Sequence, residues 1–319
     1  MSRPYFSVII NNYNYARFLP DAINSVLKQS FTDYEIIVVD DCSTDNSRDV
    51  ILSYGDKIRP VFLERNGGQG SACNAGVEAS KGELISFLDA DDVFYKDKLM
   101  RVYEAAQKKP NAILIYHQCY NTNIIGEILS GPHPTRLWQG DLRKKIYRHA
   151  ESMLPQTSLL TFRSDFLHKI FPMSQFFTRE AADALIQYLA ALSGEVACIP
   201  EPLVLYRIHG NNAYSANDFN NLEMIHKFMR RNEKEYYYIN SMLPKLGVNK
   251  RLDAVKFRYY RGNLFIFNYI GWWKFLPNIL LNPNFNNWNE KLGFIKYTVR
   301  KRREYLRGKK CNEHHPYSV

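Results

Sequence analysis

Gly82-Glu83-Leu84-Ile85-Ser86-Phe87-Leu88-Asp89-Ala90-Asp91-Asp92 is the stretch that decides the fold. A short, nearly continuous apolar run reads as a strand buried on both faces, and it ends abruptly in three carboxylates. The same design appears upstream, where Glu35-Ile36-Ile37-Val38-Val39 runs into Asp40-Asp41. Ser7-Val8-Ile9-Ile10 likewise runs into Asn11-Asn12-Tyr13-Asn14. Between these strands lie segments with helical spacing. Phe18 to Leu27, Ser71 to Ala79 and Lys96 to Lys109 are predicted helices, with a cap at Ser43-Thr44-Asp45 before a helix through Val50, Ile51 and Leu52. Arg59 to Leu63 and Ala112 to His117 add further strands. Alternating strand and helix imply an α/β fold, a mostly parallel sheet flanked by helices. Ligands in such sheets bind beyond the carboxyl ends of the strands, where the polar clusters lie.

Three carboxylates within four residues repel one another unless a cation or hydrogen bonds compensate. Mg²⁺ and Mn²⁺ take oxygen ligands of this kind, commonly together with substrate phosphates. An acidic loop capping the helix at Lys96 is the plainer reading, but the second carboxylate pair at Asp40-Asp41 favours a metal–nucleotide site.

The 319 residues carry a net charge of +10, with 45% hydrophobic and 23% charged residues, which excludes disordered and low-complexity classes. The five cysteines are scattered without CxxC pairing, so neither a disulfide framework nor a cysteine zinc site is expected. No secretory leader is read at the N-terminus, and the apolar stretch Leu264 to Leu281 is broken by Asn268, Lys274, Pro277 and Asn278. A cytoplasmic protein is the expectation. From Phe219 to Val319 there are 20 Lys and Arg against 7 Asp and Glu, a net of +13, which leaves −3 on residues 1–218. The expected organisation is an α/β domain over 1–218, in two parts, 1–118 and 119–218. A basic, aromatic-rich helical extension over 219–319 follows.

Taken together, these motifs resemble a family 2 inverting glycosyltransferase of the GT-A fold. The resemblance covers residues 5 to about 213, and it implies a catalytic domain over 1–218 with a nucleotide-sugar half (1–118) and an acceptor half (119–218). It rests on Ser7 to Asn14, Val38 to Asp45, Asn66-Gly67-Gly68 with Asn74-Ala75-Gly76, and Gly82 to Asp92. Ile199-Pro200-Glu201-Pro202-Leu203 and Tyr206-Arg207-Ile208-His209-Gly210-Asn211-Asn212 complete it. It implies a metal-dependent transferase moving a sugar from a nucleotide-diphosphate donor, a UDP-sugar by preference, to a saccharide or lipid-linked saccharide acceptor. On this reading Asn11 and Tyr13 lie on the donor, with the Tyr13 ring against the base, and Asp41 accepts the uracil imide N–H. Asp89 contacts the donor, and Asp91, Asp92 and His209 hold Mn²⁺ or Mg²⁺. Arg207 grips phosphate oxygens, and Arg65 substitutes for the basic residue the family often has where Cys73 stands. The family's acidic residue at a helix start supplies the base. Asp183 is preferred, because Ala184 to Leu192 continues as an apolar helix that fixes it, with Glu180 the alternate.

Two enzyme-site alternatives compete, a non-catalytic sugar-nucleotide binder and a nucleotidyltransferase-like enzyme; the latter needs a Gly-rich basic phosphate loop that Asn11 to Tyr15 lacks. No nucleic-acid partner is expected, because the basic tail lacks a reading motif. Aromatic and basic helices at Met224 to Leu243, Leu252 to Tyr269 and Trp288 to Leu306 suit peripheral contact with the inner face of the cell membrane.

Overall fold

The computed structural model describes residues 3–149, 155–174, 182–210, 233–252, 272–280 and 288–313. The chain divides into two compact units. The first comprises Met1–Arg143, Ser152–Asn212 and Ser241–Lys250; the second comprises Lys144–Glu151, Ala213–Asn240 and Arg251–Val319.

The first unit is built on a nine-stranded sheet in the order β3-β2-β1-β4-β8-β6-β9-β5, with β7 also paired to β6. The strands are β1 (Phe6–Asn12), β2 (Tyr34–Asp40), β3 (Arg59–Phe62), β4 (Leu84–Asp89), β5 (Val93–Phe94), β6 (Ala112–Thr122), β7 (Ile128–His133), β8 (Leu160–Arg163) and β9 (Glu195–Arg207). Strands β3, β2, β1 and β4 are parallel, as the alternating sequence predicts. Beyond β4 the sheet becomes mixed: β8 runs antiparallel between β4 and β6, β9 returns parallel to β6, and β5 and β7 are antiparallel. The α/β class holds, while the expected dominance of parallel pairing is confined to the first half. Four-residue β8 has no sequence signal strong enough to mark it, and β6 outruns its predicted end at His117 because its second half is covered by β9 and β7.

Helices α1 (Leu19–Leu27), α2 (Ser47–Leu52), α3 (Gln69–Ala79), α4 (Lys98–Lys108), α5 (Arg143–His149), α6 (Ser164–Ile170) and α7 (Ala182–Ser193) complete the described part of this chain segment. Proline in the first turn of α1 suits a helix start, where the missing N–H has no partner to lose. Its residues Leu19, Ala22, Ile23 and Val26 form one buried stripe. Leu99, Val102 and Ala106 do the same for α4. Both stripes join β1, β2 and β4 in one core with Val8, Ile10, Val38 and Leu88. Two glycines allow close approach: a Cβ on Gly76 would sit 2.5 Å from Ile9 Cγ2, and one on Gly82 would strike the backbone of Phe6 and Ser7.

In the second unit, residues 233–240 are helical, and helices occupy Trp272–Leu280 and Trp288–Glu313. The predicted helix at Leu252 to Tyr269 lies outside the described residues apart from Leu252, as does most of the first half of Met224 to Leu243. Among the described residues, no helix is long and apolar enough to cross a membrane.

Candidate active site

Register brings the polar strand ends together. Asn12 pairs with Asp40 across β1 and β2, and Asn11 pairs with Asp89 across β1 and β4. The β9 end then arrives from 100 residues further along. His209 Nε2 lies 2.9 Å from Asp91 Oδ2, and both side chains are nearly buried, at 4% and 11% exposed. Phe18 stacks on the His209 ring at 5.1 Å and Tyr15 meets it edge-on at 5.5 Å. The Tyr15 hydroxyl is pushed up to about 12 by burial and by the charges of Asp91, Asp89 and Asp92.

Asp91 and Asp92 are neighbours in sequence with different surroundings. Asp92 is fully buried; Oδ2 accepts from Ser158 Oγ at 2.5 Å and Oδ1 from the Arg207 backbone N–H at 3.0 Å. Burial, then Asp91 and Asp89, raise its pKa well above the usual range. The sequence expectation put Asp92 among the metal ligands; in the structure its oxygens tie the end of β9 to the end of β4. Ser158 completes the tie by accepting the Asp89 backbone N–H at 3.0 Å.

Asp183, at the start of α7, faces the same cluster. Its Oδ2 accepts from Thr157 Oγ1 at 3.0 Å, and Thr157 also hydrogen-bonds the Asp89 carboxylate. Gln69, the first residue of α3, donates to Thr157 Oγ1 at 3.1 Å and accepts from the Ala182 backbone N–H at 3.1 Å. The Asp89 pKa stands well above the usual carboxylate range, through burial first and then the charges of Asp91 and Asp183. Like charges drawn this close favour a cation or a shared proton. The alternate base, Glu180, lies outside the described residues.

The remaining predicted residues fall into three groups. Tyr13 is exposed at 43%, and Arg65 is exposed on the β3–α3 connection, as donor contacts require. Asn11 donates to Cys73 Sγ at 3.5 Å, while its buried Oδ1 has no hydrogen-bond partner among the described residues. Asp41 and Arg207 are held by other parts of the protein. Asp41 is buried; Oδ2 accepts from Asn66 Nδ2 at 3.0 Å and Gly68 N at 2.7 Å, and Oδ1 from Gly67 N at 2.9 Å. It therefore shapes the Asn66-Gly67-Gly68 turn, in which Gly68 takes φ +80°, a conformation glycine adopts cheaply. The Arg207 guanidinium pairs with Asp21 Oδ2 at 2.9 Å and lies over Phe18 at 4.6 Å, joining β9 to α1.

Sequence reasoning gave no role to Gln69, Thr157 or Ser158. Nor did it assign Asn14, whose Oδ1 accepts from Thr44 N at 2.7 Å, and Ser43, read only as a helix cap, donates its hydroxyl to Asp40 Oδ1 at 2.5 Å. Their polarity is ordinary for loops, and only their long-range partners distinguish them. Among the described residues, no group of three or more His, Cys, Asp and Glu is arranged to hold a metal ion.

The mixed sheet flanked by helices, with its polar strand ends gathered at one edge, is an α/β fold of GT-A type. The chain belongs to glycosyl transferase family 2, whose model matches residues 7–170. It is 38% identical over 268 residues to an uncharacterized glycosyltransferase of Nostoc sp. (strain PCC 7120), covering 80% of each chain. It is 42% identical over 105 residues to TuaG of Bacillus subtilis, a glycosyltransferase named for teichuronic acid biosynthesis. That match covers 32% of this chain and 42% of TuaG. The fold is also that of S. aureus TarS, at TM-score 0.53 and 19% identity over 75% of this chain, but only 43% of TarS. A crystal structure of TarS 1–349 in complex with UDP-GlcNAc matches at TM-score 0.54 and 18% identity, covering 86% and 79% of the two chains.

Proposed function

We propose that this glycosyltransferase is a metal-dependent inverting enzyme. It moves a sugar from a UDP-sugar to a saccharide or lipid-linked saccharide acceptor in cell-surface polysaccharide or glycoconjugate synthesis. The observation that carries the proposal is the convergence of Asp89, Asp91, Asp183 and His209, from three separate elements, at one end of the sheet. Teichuronic acid synthesis, for which TuaG is named, motivates the polysaccharide setting. The UDP-GlcNAc bound by TarS 1–349 motivates the choice of donor.

Asp183 accepts the proton of the acceptor hydroxyl as that oxygen forms its bond to the anomeric carbon. The bond from that carbon to the diphosphate breaks on the opposite face, so the configuration inverts and UDP leaves. Asp91 and His209 would hold Mn²⁺ or Mg²⁺, one carboxylate and one imidazole already drawn together at 2.9 Å, with substrate phosphates completing the shell. When bound there, such an ion would supply positive charge against the diphosphate leaving group. Asp92 is less suited as a ligand, because it is fully buried and its oxygens are turned to Ser158 and the Arg207 N–H. Tyr13, Asn11 and Arg65 remain available to the donor's base and phosphates, and Asp41 acts by holding the Gly67-Gly68 turn beneath them.

Calorimetric titration of UDP with and without Mn²⁺ tests the donor site. The expected result is metal-dependent binding that Asp91→Ala abolishes; UDP binding indifferent to both would overturn it. Inversion is read from the anomeric configuration of the first product by NMR.

The same reading places the enzyme at the inner face of the cell membrane. Lys296, Arg300, Arg303 and Arg307 line a groove of about 490 Å³ on the Trp288–Glu313 helix, and Trp273 is 90% exposed. Basic side chains with exposed tryptophan suit an anionic bilayer surface. Flotation with phosphatidylglycerol vesicles should carry the full chain upward, and phosphatidylcholine vesicles should not. Recovery wholly in the lipid-free fraction in both cases would remove the membrane from the proposal.

A further inference from the structure

The hydrogen bonds around Thr157 have a direction. Its hydroxyl has one proton, and Gln69 Nε2 donates into the oxygen at 3.1 Å. That leaves the proton for a carboxylate: Asp183 Oδ2 stands at 3.0 Å, and the Asp89 carboxylate competes with it for the same proton. Gln69 is itself fixed, because its Oε1 accepts the Ala182 N–H at 3.1 Å, one residue before Asp183. One amide thus orients the hydroxyl and anchors the helix start that carries the carboxylate. The second oxygen of Asp183, Oδ1, lies 2.8 Å from the Ala184 N–H. Thr157 is buried, in the 3-10 turn Thr157–Leu159 just before β8, so water does not substitute for it freely.

We propose that Thr157, oriented by Gln69, is a positioning residue that holds the Asp183 carboxylate ionised and correctly aimed for proton abstraction. The proposal rests on Asp183 being the base. Among the described residues, Asp89, at the end of β4, and Cys73, in α3, are titratable groups that face Asp183. The Asp89 carboxylate disfavours a second negative charge beside it, whereas burial keeps the Cys73 thiol neutral, so a hydrogen-bond donor to Asp183 opposes Asp89.

The test uses the full chain, with Asp183 followed by ¹³C-carboxyl NMR and assigned with Asp183→Asn. Thr157→Val keeps the shape and removes the donor; Thr157→Ser keeps the donor. Losing a donor to the ionised form should raise the Asp183 midpoint in Thr157→Val by about half to one pH unit, as expected for one hydrogen bond. Thr157→Ser should titrate like the wild type. With UDP-GlcNAc as the donor probe, Thr157→Val should lower kcat about tenfold and leave the donor KM unchanged. Gln69→Leu should move the midpoint in the same direction by less, and it serves if Thr157→Val does not fold. A Thr157→Val titration coincident with the wild type overturns the inference. Undiminished turnover by Asp183→Asn would instead overturn the base assignment, whatever the titrations show.

Discussion

His209 Nε2 rests 2.9 Å from Asp91 Oδ2, joining two residues 118 positions apart. Phe18 stacks on the imidazole and Tyr15 meets it edge-on, so its position is set by packing as well as by the carboxylate. Asp91→Ala and His209→Ala should each reduce transfer by roughly 10²- to 10³-fold, the scale of losing an ion that stabilises the leaving group. Turnover at saturating Mn²⁺ is the measurement, and excess metal should rescue His209→Ala better than Asp91→Ala, since the carboxylate carries the formal charge.

Asp183→Asn should lower kcat by about 10²- to 10⁴-fold, the range of general-base catalysis, while UDP affinity stays within about twofold of wild type. Calorimetry and turnover on one preparation separate these effects. A comparable loss of UDP affinity would assign Asp183 to donor binding.

Asp92→Ala should behave differently from Asp91→Ala. It leaves the Ser158 hydroxyl and the buried Arg207 N–H without their acceptor. Each such loss costs about 1–3 kcal/mol, which scanning calorimetry should register as a fall in Tm of several degrees. Asp91→Ala removes one hydrogen bond, from His209, and relieves the repulsion Asp91 exerts on Asp89 and Asp92, so its fall in Tm should be clearly smaller. A swap of these two outcomes would reverse the roles given to the adjacent aspartates.

A second buried pair makes stability depend on pH. Lys98 and His117 are both fully buried; Lys98 Nζ lies 3.7 Å from the Phe94 ring centroid, and neither Lys98 Nζ nor His117 Nε2 has a hydrogen-bond partner among the described residues. Burial, and then the neighbouring Lys98, push the His117 pKa from 6.5 down to about 3. The unfolded chain therefore takes up a proton near 6.5 that the folded chain refuses until about 3. Stability present above 6.5 is lost as the pH falls through that window, by up to about 1.4 kcal/mol per pH unit. Between pH 7 and pH 5 the wild type should lose a few degrees in Tm, and His117→Gln should lose less. Burial also lowers the Lys98 pKa well below its ordinary value, so Lys98→Met should raise Tm at neutral pH.

Gly82→Ala should prevent or severely weaken folding, because its Cβ would collide with the backbone at Phe6 and Ser7, which no rotamer change relieves. Gly140→Ala is the contrast: nothing lies near its added Cβ, and only its φ of +81° penalises the change. Soluble expression and Tm report both.

The parallel half of the fold was legible because each central strand is an apolar run stopped by polar residues, and that pattern is local. Asp89, Asp91 and Asp183 could be singled out for the same reason: each marks the end of a strand or the start of an apolar helix. Which way a carboxylate turns is not local. Asp91 and Asp92 differ by one position, and only the return of β9 and the turn before β8 give the second its donors. The same holds for Asp41, whose partners Asn66, Gly67 and Gly68 lie 25 to 27 residues on. Arg207 looked like a phosphate ligand in its motif, but Asp21 and Phe18 lie on a helix nearly two hundred residues earlier.

The order of the sheet has a consequence for how the protein can be divided. The family match ends at residue 170, whereas α7 and β9 begin at Ala182 and Glu195. A cut between Ile170 and Ala182 would leave the acidic turn after β4 on one polypeptide and Asp183 and His209 on the other. Two such pieces, each unable to turn over donor, should regain activity only when β9 docks back along β6, which makes that junction a natural place to build a split reporter.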